Sequence, residues 1–229
     1  MRVDRALETW RFGSRSRAAA WWGGIRRATP IAEMWPPQVA GFAPDLNKRL
    51  PFDPEASKKL LAEAGYPQGF KVGLACPSGA YVNDKEACQA IGGSLQKIGI
   101  EVDVQIMESN RFWDLEAKKQ LPPLFFDGVG DRYQDPDQPL KGIMTLASNW
   151  TAFEKKEFSD LIEQAGSTVD QEQRKKLYAQ LARAMQADPP FIFLWQVKNF
   201  EGTRKRVQGY TTRSNESMGH VAFDVGVTD

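Results

Sequence analysis

The chain has 229 residues, of which 41% are hydrophobic and 26% charged, so it is long enough for a folded core and its composition excludes an intrinsically disordered protein. Its 30 basic and 29 acidic residues leave a formal net charge of +1, which excludes a global field that would attract nucleic acid or an anionic membrane. All apolar runs are shorter than the roughly 20 residues of a membrane span. The N-terminus lacks the features of a signal peptide, so we expect any signal of an exported parent protein to lie outside this chain.

The first 34 residues differ in composition from the rest. All 7 basic residues before Lys48 are arginines, and Trp10, Trp21 and Trp22 lie among them. Two interpretations of this leader remain open. One is an arm that binds nucleic acid through basic and aromatic side chains. The other, which we favour because the segment has no clear period, is a leader that is either poorly ordered or not native to the fold.

Prolines mark the segment that follows the leader. Trp35 is followed by Pro36, Pro37, Pro44 and Pro51. This density of prolines predicts an extended connector that crosses the protein surface. Regular structure is therefore expected only after the last of them.

The next segment predicts a short helix and then a strand, a helix and a strand. The short helix begins at Asp53, whose carboxylate caps it, and ends at Gly65. Residues 70–76 alternate as a strand, a longer helix begins at Asp84, and residues 100–107 alternate as a half-buried strand. This succession favours parallel pairing with a right-handed crossover, which indicates an α/β fold.

Further elements follow in chain order. We predict helices near 110–119, 153–165 and 170–186 and a short strand at 124–127. The run FIFLWQV at 191–197 is apolar almost throughout, which predicts a strand covered on both faces. The loop 128–139 is rich in Gly, Asp and Pro.

Four aspartates lie in and beside this acidic loop: Asp127, Asp131, Asp135 and Asp137. Their spacing suits a hard cation or an acid and base pair, which would make the protein a small metal-assisted α/β hydrolase or transferase. Turn formation by Asp side chains explains the same cluster more simply. Both explanations remain open from the spacing alone.

The chain offers little for nucleophilic or zinc chemistry. His220 is the only histidine, and we expect it to be an exposed residue near the C-terminus rather than a member of a catalytic triad. Two cysteines and one histidine do not supply a tetrahedral zinc site, and no phosphate-binding glycine motif is present. We therefore expect no catalytic residues, no bound metal and no cofactor.

Several long stretches carry a family resemblance. The chain resembles the periplasmic solute-binding proteins of peptide and nickel ABC importers, extracellular solute-binding protein family 5. The matching stretches are PFDPEASKKLLAEAGYPQGFKVGL at 51–74, YVNDKEACQAIGGSLQKIGIEVDVQIM at 81–107, GDRYQDPDQPL at 130–140, the paired helices and following strand at 158–194, and VQGY at 207–210. The resemblance as a whole covers the chain from about Trp35 to Tyr210.

The resemblance implies the C-terminal lobe of a two-lobed, type II-like periplasmic-binding-protein fold, with a mixed sheet flanked by helices. This lobe would occupy residues 35–210, and residues 211–229 would form a tail leading back toward the first lobe. Whole members of the family are considerably longer and close two lobes around a ligand, so the chain is expected to be a truncated C-terminal fragment.

The resemblance also implies function, partners and location. The protein would be the substrate-binding component of an ABC importer, not an enzyme. Its partners would be a peptide or other small-molecule ligand, the ABC permease subunits in the membrane and the missing N-terminal lobe, with no nucleic acid. It would work in the periplasm or another extracytoplasmic space.

Ligand-binding residues follow from the same resemblance. Asp131 matches an aspartate that forms a salt bridge with the α-ammonium group of a bound peptide. Trp113 and Trp150 are similar to aromatic residues that line the cleft, and Tyr133 lies beside Asp131 in the acidic loop. For each tryptophan, packing in the lobe is the alternative role.

The two cysteines lie near each other in the predicted elements. Cys76 ends a strand and Cys88 lies in the following helix, so the turn between them allows their sulfurs to meet. In the oxidising compartment that the resemblance implies, this spacing favours a disulfide. Two buried free thiols are the alternative.

Overall fold

A computed structural model of the chain describes residues 28–37, 39–49, 51–130, 135–148, 155–197, 202–210 and 225–228. The helices are α1 (Pro54–Glu63), α2 (Asp84–Gln96), α3 (Ser109–Ala117), α4 (Asp137–Met144), α5 (Lys156–Ser167) and α6 (Gln171–Ala187). The strands are β1 (Ala28–Pro30), β2 (Phe70–Ser78), β3 (Ile100–Glu108), β4 (Leu124–Phe125), β5 (Trp195–Val197), β6 (Val207–Gln208) and β7 (Gly226–Val227). Within these ranges, no helix is long and apolar enough to cross a membrane.

The central sheet is parallel, with the strand order β3-β2-β4. β2 pairs with β3 along its whole length, from Phe70 opposite Ile100 to Ser78 opposite Glu108. β4 pairs with β2 over two residues only. The remaining described strands form two separate antiparallel pairs, β1 with β5 and β6 with β7. The predicted α/β fold, with parallel and antiparallel strands flanked by helices, is confirmed.

Helix starts agree with the capping signals of the sequence. Asp53 accepts a hydrogen bond from the backbone N–H of Ala56 at 2.9 Å, and Asp170 accepts one from Gln173 at 2.7 Å. Gly65 has a φ of +95°, the left-handed conformation expected where α1 ends. The predicted starts of α1 and α6 are therefore confirmed.

Two hydrophobic clusters stabilise the fold. The sheet cluster packs α1 and α2 against the central sheet and includes Leu61, Leu74, Cys76, Cys88, Leu95 and Ile100. The helical cluster lies among α4, α5 and α6 and includes Trp35, Leu140, Phe158, Ile162, Tyr178 and Leu181.

The apolar run FIFLWQV is not one strand covered on both faces, so that prediction is wrong. Only Trp195–Val197 forms a strand, which pairs with β1. Phe191 and Phe193 pack against the helical cluster, whereas Ile192 and Leu194 pack against the sheet cluster. The run is apolar because alternate side chains contact two different cores.

The proline-rich segment is not an extended surface connector either. It turns repeatedly, and Trp35 and Val39 are only 5% and 3% exposed within the helical cluster. Gly41, at a φ of +94°, lies so close to α6 that an added Cβ would be 2.6 Å from the Cβ of Tyr178. The segment therefore covers the helical cluster.

Packing also begins before residue 35. β1 and the buried side chains of Ala32 and Glu33 precede the predicted boundary of the lobe. Residues 1–27 of the predicted leader and residues 211–224 of the predicted tail lie outside the described residues.

Candidate ligand-binding edge of the central sheet

The carboxyl ends of β2 and β4 form the candidate site. The chain leaves β2 through α2 toward β3 on one side, and it returns through α3 to β4 on the other side of β2. The two ends therefore lie at a topological switch point. Open α/β sheets bind ligands in the crevice at such points.

The loop after β2 is held by a buried carboxylate. Oδ2 of Asp84 accepts hydrogen bonds from the backbone N–H groups of Gly79 at 2.7 Å, Ala80 at 3.0 Å and Tyr81 at 3.2 Å. Asp84 itself is 4% exposed. These three bonds fix the loop in a position from which Tyr81 reaches the loop after β4.

Tyr81 joins the two loops. Its hydroxyl donates to Oδ1 of Asp127 at 2.5 Å and accepts from the N–H of Gly128 at 2.9 Å. A Cβ at Gly128 would lie 2.8 Å from the Tyr81 ring, so only glycine allows this approach. Burial, followed by the negative charge of Asp127, raises the pKa of Tyr81, which keeps the hydroxyl a donor.

Glu116 on α3 forms an acid pair with Asp127. The Glu116 side chain is 4% exposed and shares a hydrogen bond with the Asp127 carboxyl. Burial and then the charge of Asp127 raise the pKa of Glu116 to about 8. Desolvation of its carboxylate also raises the pKa of Asp127, but this residue is exposed as a whole, so we place the shared proton on Glu116.

The other described aspartates of the acidic loop have separate partners. Asp135 binds both nitrogens of the Arg174 fork, with Nη2 to Oδ1 at 2.8 Å, and accepts from the backbone N–H of Asp137 at 2.9 Å. Asp137 forms an ion pair with Lys141 at 3.2 Å. The described ranges contain no group of three or more side chains placed to hold a metal ion. Asp127, Asp135 and Asp137 thus do not converge.

The structure describes one of the four predicted ligand residues. Trp113 lies on α3, one turn before Glu116, and is 36% exposed. Asp131, Tyr133 and Trp150, and also His220, lie outside the described residues.

Sequence reasoning missed Glu116 and Tyr81. Glu116 lies four positions after Phe112, which is 0% exposed, so the two share the buried face of α3. An acidic residue at a core-facing position was therefore an available signal. Tyr81 gave no signal, because its contact with Asp127 depends on the order of strands in the sheet.

The two cysteines form a disulfide. The Cys76 and Cys88 sulfurs are bonded, with their Cα atoms 6.4 Å apart and both residues fully buried. The predicted bond is confirmed, and the alternative of two free thiols is wrong. The bond ties the carboxyl end of β2 to α2.

Comparisons with known proteins identify the family. Residues 25–185 match the family model described as bacterial extracellular solute-binding proteins, family 5 Middle. The chain belongs to this family. It is 30% identical over 195 residues to heme-binding protein A of Haemophilus influenzae, covering 82% of this chain and 35% of that protein. It is 28% identical over 183 residues to the dipeptide-binding protein of Escherichia coli, covering 76% of this chain and 34% of that protein.

Two solved structures share the fold. HbpA2 from Haemophilus parasuis superposes with a TM-score of 0.78 at 25% identity, covering 99% of this chain and 45% of that one. Periplasmic binding protein DppA from Helicobacter pylori, in complex with the peptide STSA, gives 0.75 at 24% identity, covering 99% and 43%. The present chain thus spans about a third of the length of the curated relatives it matches, and less than half of the length of these two solved chains. The predicted family resemblance is confirmed, and these relatives are binding proteins by name.

Proposed function

We propose that this chain is one lobe of the substrate-binding component of an ABC importer. It would capture a peptide, a peptide-like molecule or another small solute outside the cytoplasm and deliver it to the permease subunits in the membrane. The family match over residues 25–185 carries this proposal. The relatives are longer than the part that this chain matches. The second lobe would correspond to the remaining sequence of those relatives.

The proposed mechanism is closure of two lobes around the ligand. The carboxyl edge of β2 and β4 would supply one wall of the cleft, and binding energy would come from burying the ligand between two walls. A single wall leaves the ligand half solvated. We therefore expect the 229-residue chain alone to bind its solute more weakly than micromolar.

The acidic loop is the proposed ligand-binding segment. Both of its described ends are anchored, by Tyr81 at Gly128 and by Arg174 at Asp135. Asp131 lies between these ends in the sequence, and its carboxylate would bind an ammonium group of the ligand. Trp113, Tyr133 and Trp150 would contact the rest of the ligand.

We do not propose the metal-assisted hydrolase or transferase. That function needs carboxylates that converge on one ion or one substrate. Asp127, Asp135 and Asp137 instead bind different partners. No relative named above supports the enzyme.

An NMR titration of the 229-residue chain tests the proposed function. Ala-Ala, glutathione and haem are added separately, with sucrose as the control solute. We expect at least one of the first three to move the backbone signals of the loops after β2 and β4, with a Kd weaker than micromolar. Signal changes confined to other parts of the fold, or none at millimolar ligand, would contradict the proposal. Micromolar or tighter binding would contradict the requirement for a second lobe.

A further inference from the structure

Strand β3 is the edge of the central sheet, and one of its two sides is open. It pairs with β2 over all 9 of its residues and stands at the end of the order β3-β2-β4. Within the described part of the chain, no strand or loop backbone bonds to its other side. An open edge presents a row of backbone donors and acceptors to any strand that can approach it.

The open edge of β3 lacks the features that usually keep edge strands apart. The strand is long, its sequence IEVDVQIME contains no proline or lysine, and its register with β2 is continuous, so it has no bulge. Its acidic side chains have partners on the same face of the sheet. Glu101 forms an ion pair with Lys71 at 2.7 Å, and Asp103 accepts a hydrogen bond from the Gln105 amide at 2.8 Å. These acids therefore protect the edge less than free charges would.

Apolar side chains line the face of β3 that packs on α2. Val102 and Val104 are half-buried there, and a Cβ at Gly92 of α2 would lie 2.9 Å from Cγ2 of Val104. Ile106 continues the row and is 40% exposed. A second strand beside β3 would cover this row, and cross-strand contacts between such side chains stabilise a sheet.

The sequence of β3 is complementary to itself in an antiparallel arrangement. Val104 is the middle residue of the strand, so a twofold axis at Val104 pairs two copies of β3 over their whole length. This register places Asp103 opposite the partner's Gln105, which is a hydrogen-bond donor. On the other face it places Val102 opposite the partner's Ile106, which extends the apolar row across both strands.

Neighbouring registers are less favourable. An axis at Asp103 would place two Asp103 carboxylates opposite each other, and an axis at Val102 would place Glu101 opposite the partner's Asp103. Like charges directly opposite each other destabilise a strand pair. An axis at Gln105 would shorten the pairing. The register that uses the whole strand is therefore also the one in which the polar groups match.

Helix α2 fits beside its own copy in this arrangement. It lies over both β2 and β3, tied to β2 by the disulfide and packed on β3 at Gly92. Across a joined sheet the two copies of α2 would be two strand spacings apart, about 9.6 Å. Packed helices are separated by roughly 8 to 10 Å. The formal net charge of +1 also leaves little repulsion between two chains.

We propose that two copies of this chain associate through β3, which pairs antiparallel to its copy about a twofold axis at Val104. The pairing joins two three-stranded sheets into one. Because the two sheets run in opposite directions, the two candidate ligand-binding edges lie at opposite ends of the joined sheet and stay open. The contact residues come from β3 and α2, so the association does not depend on the proposed function.

Sedimentation equilibrium of the 229-residue chain over a range of micromolar concentrations tests the association. We expect the apparent mass to rise with concentration from 25.7 kDa toward twice that value. Ile106→Lys places a charge opposite the partner's Val102, so it should weaken the association about tenfold or more. Leu146→Lys is the matched control, because Leu146 is also an exposed apolar residue, at 49%, and lies outside β3. It should leave the association unchanged.

Cross-linking tests the register. Chains with Asp103→Cys and chains with Gln105→Cys are oxidised separately and as a mixture. The Cα atoms of directly opposite residues are about 4.5 to 5.5 Å apart, within reach of a disulfide, whereas diagonal neighbours are about 7 to 8 Å apart. We expect more covalent dimer in the mixture than in either chain alone. Cys76 and Cys88 are buried and already bonded to each other, so they should not compete.

Several results would overturn the proposal. One is a monomer at every concentration. Others are equal weakening by Ile106→Lys and Leu146→Lys, or equal cross-linking in the mixed and unmixed samples. A monomer in which all β3 amides exchange slowly with solvent would show that another segment of the same chain covers the edge.

Discussion

Arg174 on α6 and Asp135, two residues before α4, form a bidentate ion pair that joins the acidic loop to the helical cluster. Arg174 also donates to the carbonyl oxygen of Ala165 at 3.1 Å and to the hydroxyl of Tyr178 at 3.2 Å. Its side chain is 14% exposed. One guanidinium therefore connects the acidic loop, the end of α5 and the middle of α6.

Replacing Arg174 should destabilise the fold. Arg174→Met removes the bidentate ion pair with the Asp135 carboxylate and one of the two donors to the Ala165 carbonyl, so we expect a loss of about 2 to 3 kcal/mol in the free energy of unfolding. Arg183→Met is the matched control, because Arg183 is exposed and lies 3.6 Å from Asp45. It should cost less than about 0.5 kcal/mol. Urea unfolding measures both, and equal losses would contradict the role given to Arg174.

Two adjacent glycines of α2 should respond in opposite directions to alanine. A Cβ at Gly92 would lie 2.9 Å from Cγ2 of Val104 on β3, whereas a Cβ at Gly93 meets nothing within 4 Å. We expect Gly92→Ala to cost about 1 to 3 kcal/mol through overpacking. Gly93→Ala should raise the free energy of unfolding by about 0.5 to 1 kcal/mol, because alanine has the higher helix propensity. Urea midpoints that shift in the same direction would show that α2 does not present Gly92 to the sheet.

The acid pair of Glu116 and Asp127 should make stability depend on pH. Because the pKa of Glu116 is raised from 4.5 to about 8, its contribution is fully present below pH 4.5 and is lost as pH rises through about 8. Burial raises the pKa of Glu33 to about 7. Glu33 therefore also lowers the free energy of unfolding as pH rises, and its effect is complete at a lower pH than that of Glu116. Glu116→Gln should remove the loss above pH 7, on the order of 1 to 2 kcal/mol, while Glu163→Gln, at an exposed position on α5, should retain it. Thermal melts from pH 4 to pH 9 provide the measurement, and an unchanged profile in Glu116→Gln would refute the assignment.

The disulfide should contribute measurably to stability. Cys76 and Cys88 are separated by 12 positions, and closing a loop of that size stabilises a protein by about 3 kcal/mol in the chain-entropy description. The double variant Cys76→Ala and Cys88→Ala should lose about that amount in urea unfolding. Reductant should lower the stability of the unchanged chain but not of the variant. A variant as stable as the oxidised chain would disprove the contribution.

Local signals were sufficient for several elements and misleading for others. Cap residues and alternating patterns predicted α1, α2, β2, β3 and α6, because those signals act within a few residues of each element. α4, at Asp137–Met144, was missed because Pro139 and Gly142 made it resemble a loop. Its helical face is visible only in Leu140 and Met144, both fully buried.

By itself, the sequence determined the α/β fold, the parallel strand unit and membership of family 5, and it favoured the pairing of Cys76 with Cys88, since these depend on periodicity, short spacings and long matching runs. Only the tertiary structure decided how the acidic residues are used. Tyr81 and Asp127 are 46 positions apart, and Asp135 and Arg174 are 39 apart. Which carboxylate meets which partner over such separations depends on the strand order β3-β2-β4 and on the packing of α3 and α6, and neither is encoded in the spacing of the aspartates.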